Sequence, residues 1–142
     1  MAAEDLNIGL LLRFPYRALE GRIFAALARS GFDITPAQAR LFRRVAPSGS
    51  RVTDLAEQAR VTKQTASVLV QGLVEAGYAE RIPDPKDARA SLVRASARGL
   101  QAAAAVDAEI ARIEAEWSTA IGAARYARLR RDLGDLVRHL QT

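Results

Sequence analysis

Across 142 residues there is no cysteine, a single histidine (His139), and only nine glycines and five prolines. Without thiols there are no disulfides, thiolate metal sites or iron–sulfur clusters, and no thiol redox sensing. One histidine leaves no His-rich metal site and no histidines acting together. Aromatic residues are scarce, at 6%. Long apolar runs are missing too: the stretch Ile8 to Leu12 is interrupted by Gly9 and ended by Arg13. That is too short to span a bilayer, and it lacks a basic leader and a small-residue cleavage site. The expectation is a cytoplasmic protein without membrane contact. Catalytic machinery is also absent. No Gly-rich phosphate loop and no Gly-flanked nucleophile occur, and Asp84/Asp87 and Asp132/Asp135 sit in surface-like polar settings. The chain reads as neither an enzyme nor a carrier of metal or cofactor.

What is present fits one globular domain spanning 1–142, with 49% apolar and 26% charged residues. Alanine makes up about a fifth of the chain, which favours helix. The net charge is +5. Basic domains have nucleic acid as their first candidate partner. The cations are spread evenly along the chain, so charge alone selects nothing.

Hydrophobic spacing divides the chain into three blocks. In the first, Leu6, Leu10, Phe14 (or Leu11), Ile23, Phe24 and Leu27 recur at helical spacing until Ser30-Gly31. Pro15 lies inside this pattern and predicts a kink or two helical pieces. Thr35-Pro36-Ala37-Gln38 then has the form of a capping box, opening a helix that carries Ala39, Leu41, Phe42 and Val45 up to Pro47. In the middle block, Thr53 is a candidate cap for a helix through Leu55, Ala56 and Ala59. Only Arg60, Val61 and Thr62 separate it from a second helix, capped by Thr62 and ended by Gly77. Tyr78 to Ile82 and Ser91 to Ala95 read as strands of a long hairpin whose loop is 83–90. The last block steps by three and four through Val106, Ile110, Ile113, Trp117 and Ile121, breaks at Gly122, and resumes at Tyr126, Leu129, Leu133, Leu136 and Leu140. Narrow seams of this kind suit helix–helix pairing between two copies of the chain.

Helix, three-residue turn, helix and hairpin is the order of a winged helix-turn-helix, whose second helix lies in the major groove. On a helical wheel from Thr62, the inner face is Ala66, Leu69, Val70 and Leu73. The opposite face is Gln64, Ser67, Val68 and Gln71, with Lys63 and Thr65 beside it and no acid before Glu75. Amides and hydroxyls read base edges, Gln being the bidentate partner of adenine, and an outward Val68 suits a thymine methyl. Lys63 and the capped N-terminal amides suit phosphate. At the hairpin, Lys86 or Arg89 is placed to enter the adjacent minor groove, where narrow width favours Arg. Asp84 and Asp87 repel phosphate, so they are expected to shape the loop or orient Arg89. Arg81 and Arg94 at the strand bases are either phosphate contacts or surface charges. The fold expected is mainly α with a small β-hairpin wing. A second function class keeps the same fold: a winged-helix protein–protein adaptor that binds no DNA, whose exposed face would be apolar or acidic.

Several segments together resemble the MarR (multiple antibiotic resistance regulator) family. These are Val52-Thr53-Asp54-Leu55-Ala56, Val61-Thr62-Lys63-Gln64-Thr65, Leu69-Val70, Leu73 and Gly77-Tyr78-Ala79-Glu80-Arg81. Asp84-Pro85-Lys86-Asp87-Ala88-Arg89-Ala90 and Ser96-Ala97-Arg98-Gly99 are similar to that family's wing and the start of its fifth helix. The resemblance implies a winged helix-turn-helix at 35–96 flanked by dimerisation helices at 1–34 and 97–142. It implies a homodimeric transcriptional regulator, usually a repressor, on a pseudo-palindromic duplex operator, often released by a small aromatic effector. By similarity Thr62, Lys63, Gln64, Thr65 and Ser67 take the recognition role and Arg89 the role of wing arginine. Ala88 departs from the pair of adjacent basic residues common in that wing, with Lys86 as substitute. The implied effector cleft, lined from the first, second and fifth helices, would draw on Phe14, Tyr16, Arg17, Phe42 and Trp117. The lack of cysteine separates the chain from the family's peroxide sensors.

Overall fold

A computed structural model describes residues 2–142. A 3-10 turn at Ala3–Asp5 is followed by α1 (Ile8–Arg29), α2 (Pro36–Phe42), α3 (Val52–Ala59), α4 (Lys63–Glu75), β1 (Ala79–Asp84), β2 (Asp87–Ala95), α5 (Ala97–Ile121) and α6 (Ala123–Gln141). No helix among the described residues is long and apolar enough to cross a membrane. The chain forms two compact units. One is Phe24–Val106, and the other joins the residues up to Ile23 with Asp107–Thr142.

Local chemistry explains most helix ends. At α2 the Thr35 hydroxyl accepts from the Gln38 amide at 3.1 Å while the Gln38 side chain accepts from the Thr35 amide at 3.0 Å. Two orphan donors are thereby satisfied reciprocally. α2 stops at Phe42, so Val45 lies beyond it. α3 starts two residues earlier than its threonine suggested. Arg51 is its N-cap, without a side-chain cap bond, and Thr53 lies inside the helix. Its last turn closes on Arg60 in the left-handed region (φ 56°), which reverses the chain within three residues. α1 runs unbroken through Pro15, so the two-piece alternative does not hold. Proline removes one intrahelical bond, but residues 11–18 are all exposed, so water satisfies the carbonyl left over.

The core of the Phe24–Val106 unit holds Leu41, Leu55, Val70, Leu73 and Val93, all fully buried. Each contributes about 1.5–3 kcal/mol by leaving water. Gly99 is required by close approach: a Cβ there would collide with the Tyr78 carbonyl and the Phe42 ring. Arg98 covers Phe32 and Tyr78, with its guanidinium carbon 5.1 and 5.2 Å from the two ring centres. The hairpin is antiparallel, with Ala79 opposite Ala95 and Pro83 opposite Ser91. Its strands run further than hydropathy suggested, to Asp84 and Asp87, leaving Pro85-Lys86 as the turn. A register shift between Pro83 and Asp84 absorbs the extra residues of β2. Ser50 adds an isolated bridge to Val93.

In the other unit, Ile113 is fully buried and Glu109 is only 3% exposed. Arg22 and Arg112 both pair with Glu109, at 3.0 and 2.7 Å, and Arg22 also pairs with Glu116. Tyr126 donates to Glu114 at 2.6 Å, and Arg130 pairs with the same carboxylate. Gly122, at φ +99°, permits the turn from α5 into α6. No residue of α6 is buried. Leu129, Leu133, Leu136, Val137 and Leu140 are exposed, Leu140 by 73%.

Candidate nucleic-acid interface

The second helix of the middle block begins where its cap requires. The Thr62 hydroxyl accepts from the Thr65 amide at 3.0 Å and donates to the Thr65 hydroxyl at 2.9 Å. Ala66, Val70 and Leu73 are buried and Leu69 is half-buried, as the wheel predicts. Lys63, Gln64, Thr65, Ser67, Val68 and Gln71 are all exposed. Val68 is 66% exposed, an unusual place for an isopropyl group with no apolar cover. Gln64, Thr65, Val68 and Leu69 line a shallow depression of about 280 Å³.

Polar groups on this face differ in how free they are. Neither Gln64 nor Ser67 has a side-chain hydrogen bond among the described residues. Both keep donors and acceptors for a partner. Gln71 is engaged at both ends of its amide, donating to Glu75 at 3.0 Å and accepting from Arg81 at 3.3 Å. Thr62 spends its hydroxyl on the cap. Arg81 is thus tied to α4, and Arg94 pairs with Glu80 across the ladder at 2.6 Å. Lys63, Lys86 and Arg89 have no ion-pair partner among the described residues.

At the wing the segment Asp84-Pro85-Lys86-Asp87-Ala88-Arg89 uses one device twice. The Asp84 carboxylate accepts from the Lys86 amide at 2.9 Å, and the Asp87 carboxylate accepts from the Arg89 amide at 3.0 Å. Each acid therefore fixes the backbone of the basic residue two places on. The side chains of Lys86 and Arg89 remain exposed. Asp84 is withdrawn from the surface, only 7% exposed, and carries a second bond to Arg51 at 2.7 Å. The Lys86 amide, followed by the Arg51 guanidinium, holds the Asp84 carboxyl below the usual carboxylate range. The clamp raises the Arg51 guanidinium in turn. Arg51 escaped the sequence reading because nothing in a chain of evenly spread arginines marks one that meets an acid 33 positions on.

Among the proposed effector residues, Phe14, Tyr16 and Arg17 are exposed on α1, with the Tyr16 hydroxyl 3.1 Å from Glu20. Trp117 is half-buried on α5, and Phe42 is half-buried at the end of α2 in the other unit. Among the described residues no group of three or more His, Cys, Asp or Glu is placed to hold a metal ion.

The MarR family model matches residues 32–90, which run from the segment before α2 through the wing tip into β2. That segment, less than half of the chain, is similar to the MarR family. The MarR fold extends well beyond it. The crystal structure of MarR superposes with a TM-score of 0.75 at 23% identity, covering 95% of this chain and 98% of that one. A variant of MepR from S. aureus bound to an oligodeoxyribonucleotide superposes at 0.65 with 16% identity, covering 96% and 99%. MepR bound to ethidium bromide superposes at 0.67 with 18% identity, covering 97% and 99%. Among curated proteins none matches the sequence.

Proposed function

We propose that this chain is a homodimeric, sequence-specific transcriptional regulator that binds a pseudo-palindromic duplex operator, most simply as a repressor. α4 enters the major groove and the wing enters the neighbouring minor groove. The observation that carries this reading is the α4 face itself: among the described residues Gln64 and Ser67 are exposed with unspent hydrogen-bonding groups, Val68 is bare beside them, and Lys63 at the N-terminal end has no ion-pair partner. Leaving amides, hydroxyls and a methyl surface unpartnered gains nothing for the fold and matches what base edges offer. The MepR structure with an oligodeoxyribonucleotide supports the same use of the fold.

Dimerisation belongs to this reading. α6 presents leucines on a helix with no buried residue, and a contiguous apolar seam of that kind marks an interaction surface. Two copies then place two α4 helices on half-sites about one helical turn apart. An aromatic effector that lowers DNA affinity completes the proposal, with Phe14, Tyr16, Arg17 and Trp117 as contacts and MepR with ethidium as the supporting parallel. Trp117 is the single tryptophan, so a change in its fluorescence on adding benzoate, with parallel loss of duplex binding, checks that part.

The deciding experiment is footprinting on the DNA flanking the gene, followed by a salt titration. A protected two-fold site whose affinity falls steeply with salt is expected, because neutralised phosphates release counterions. Salt-independent or absent duplex binding would favour the protein–protein adaptor instead.

A further inference from the structure

Ser50 and Arg51, adjacent in sequence, hold the wing at two heights. Ser50 exchanges both backbone bonds with Val93, at 2.9 and 2.8 Å, low on the hairpin. Arg51 reaches the tip. Its Nε and Nη2 both donate to one oxygen of Asp84, at 3.1 and 2.7 Å, while the other oxygen accepts from the Lys86 amide at 2.9 Å. Between these two points the ladder is interrupted by the register shift at Pro83/Asp84. A two-stranded hairpin is marginal by itself, and a bulge weakens pairing further. What fixes the turn is therefore the Arg51–Asp84–Lys86 chain of charge-assisted bonds.

We propose that Arg51 is a positioning residue for DNA binding, which draws Asp84 inward and so sets the turn that delivers Lys86 and Arg89 to the minor groove. The proposal rests on the DNA-binding reading of the wing. Two physical effects follow from one contact. The turn is ordered before binding, so its ordering entropy is not charged against affinity. The Asp84 carboxylate is neutralised and turned away from the phosphates it would repel. Without Arg51 that carboxylate is left without its counter-ion and swings outward, beside the same two cations it now helps to present.

The test compares Arg51→Ala, Arg51→Lys, Lys86→Ala/Arg89→Ala and the triple variant on the footprinted duplex, with amide exchange of Lys86 in the free protein. Arg51→Ala is expected to weaken binding about tenfold, with the salt slope reduced, as for loss of wing cations. The triple variant should bind no worse than Lys86→Ala/Arg89→Ala, and Arg51→Lys should recover part of the loss. Lys86 amide exchange should speed about tenfold in Arg51→Ala, as local opening frees the turn. If Arg51→Ala fails to fold, Asp84→Asn and Arg51→Lys make the same comparison. Additive losses would show Arg51 meeting DNA itself and overturn the proposal, as would Lys86 exchange unchanged from wild type. Wild-type protein that binds no duplex sinks the DNA reading as a whole, whereas wild-type binding with additive losses sinks only the role of Arg51.

Discussion

Gln64 and Gln71 are the same side chain on the same exposed face of α4, and their surroundings separate them. Gln71 has both ends of its amide engaged by Glu75 and Arg81, so a base would have to displace two existing bonds. Gln64 has none to give up among the described residues. Replacing Gln64 by Ala is therefore expected to cost about 1–3 kcal/mol on the specific site and relax preference at one position. Binding to a scrambled duplex should hardly change. Gln71→Ala should cost much less. Fluorescence anisotropy on the two duplexes measures both, and equal losses for Gln64→Ala on specific and scrambled DNA would contradict base reading. That Gln64 faces outward could be read from helical period alone. That Gln71 is preoccupied could not, because Arg81 lies on the following strand.

At the scale of elements, the cap of α4 and the turn of the wing set what the partner meets. Thr62→Ala removes the hydroxyl that accepts from the Thr65 amide, at a cost of about 1 kcal/mol. A lower urea midpoint with unchanged slope is the expected reading. The wing carries a pH dependence whose sign is determined. Asp84 has a lower pKa folded than unfolded, first through the Lys86 amide and then through Arg51. Its contribution is thus complete above the ordinary carboxylate range, about pH 4, and disappears as acid takes the pH down through the folded value. Glu109, depressed by Arg112 and Arg22, acts in the same direction. Urea unfolding should show stability level at neutral pH and falling in acid, with a smaller fall in Asp84→Asn. A variant as acid-sensitive as wild type would remove Asp84 from that account.

For the molecule as a whole, the two apolar seams of the last block differ. Ile113 is fully buried within one chain, whereas Leu133 is exposed. Both lie on helical stripes that read alike in sequence, yet only the second is available to another copy. Leu133→Asp is expected to yield a folded monomer by light scattering, with loss of tight binding to the full two-fold site. Ile113→Asp should instead unfold the chain, because it buries a charge without a partner. A Leu133→Asp protein that stays dimeric would move the interface away from α6.

The sequence alone decided the order of elements, the caps at Thr35 and Thr62, the break at Gly122 and the outward face of α4. All of these depend on neighbours within about four residues, where backbone geometry and spacing act directly. Tertiary structure decided what depends on distant partners. Arg51 finds Asp84 and Ser50 finds Val93 across more than thirty residues. Ile113 is buried and Leu133 is not, and the wing closes on a two-residue turn where the loop composition suggested eight. Bonds of that kind exist only once the chain has brought remote side chains together, and no local period records them.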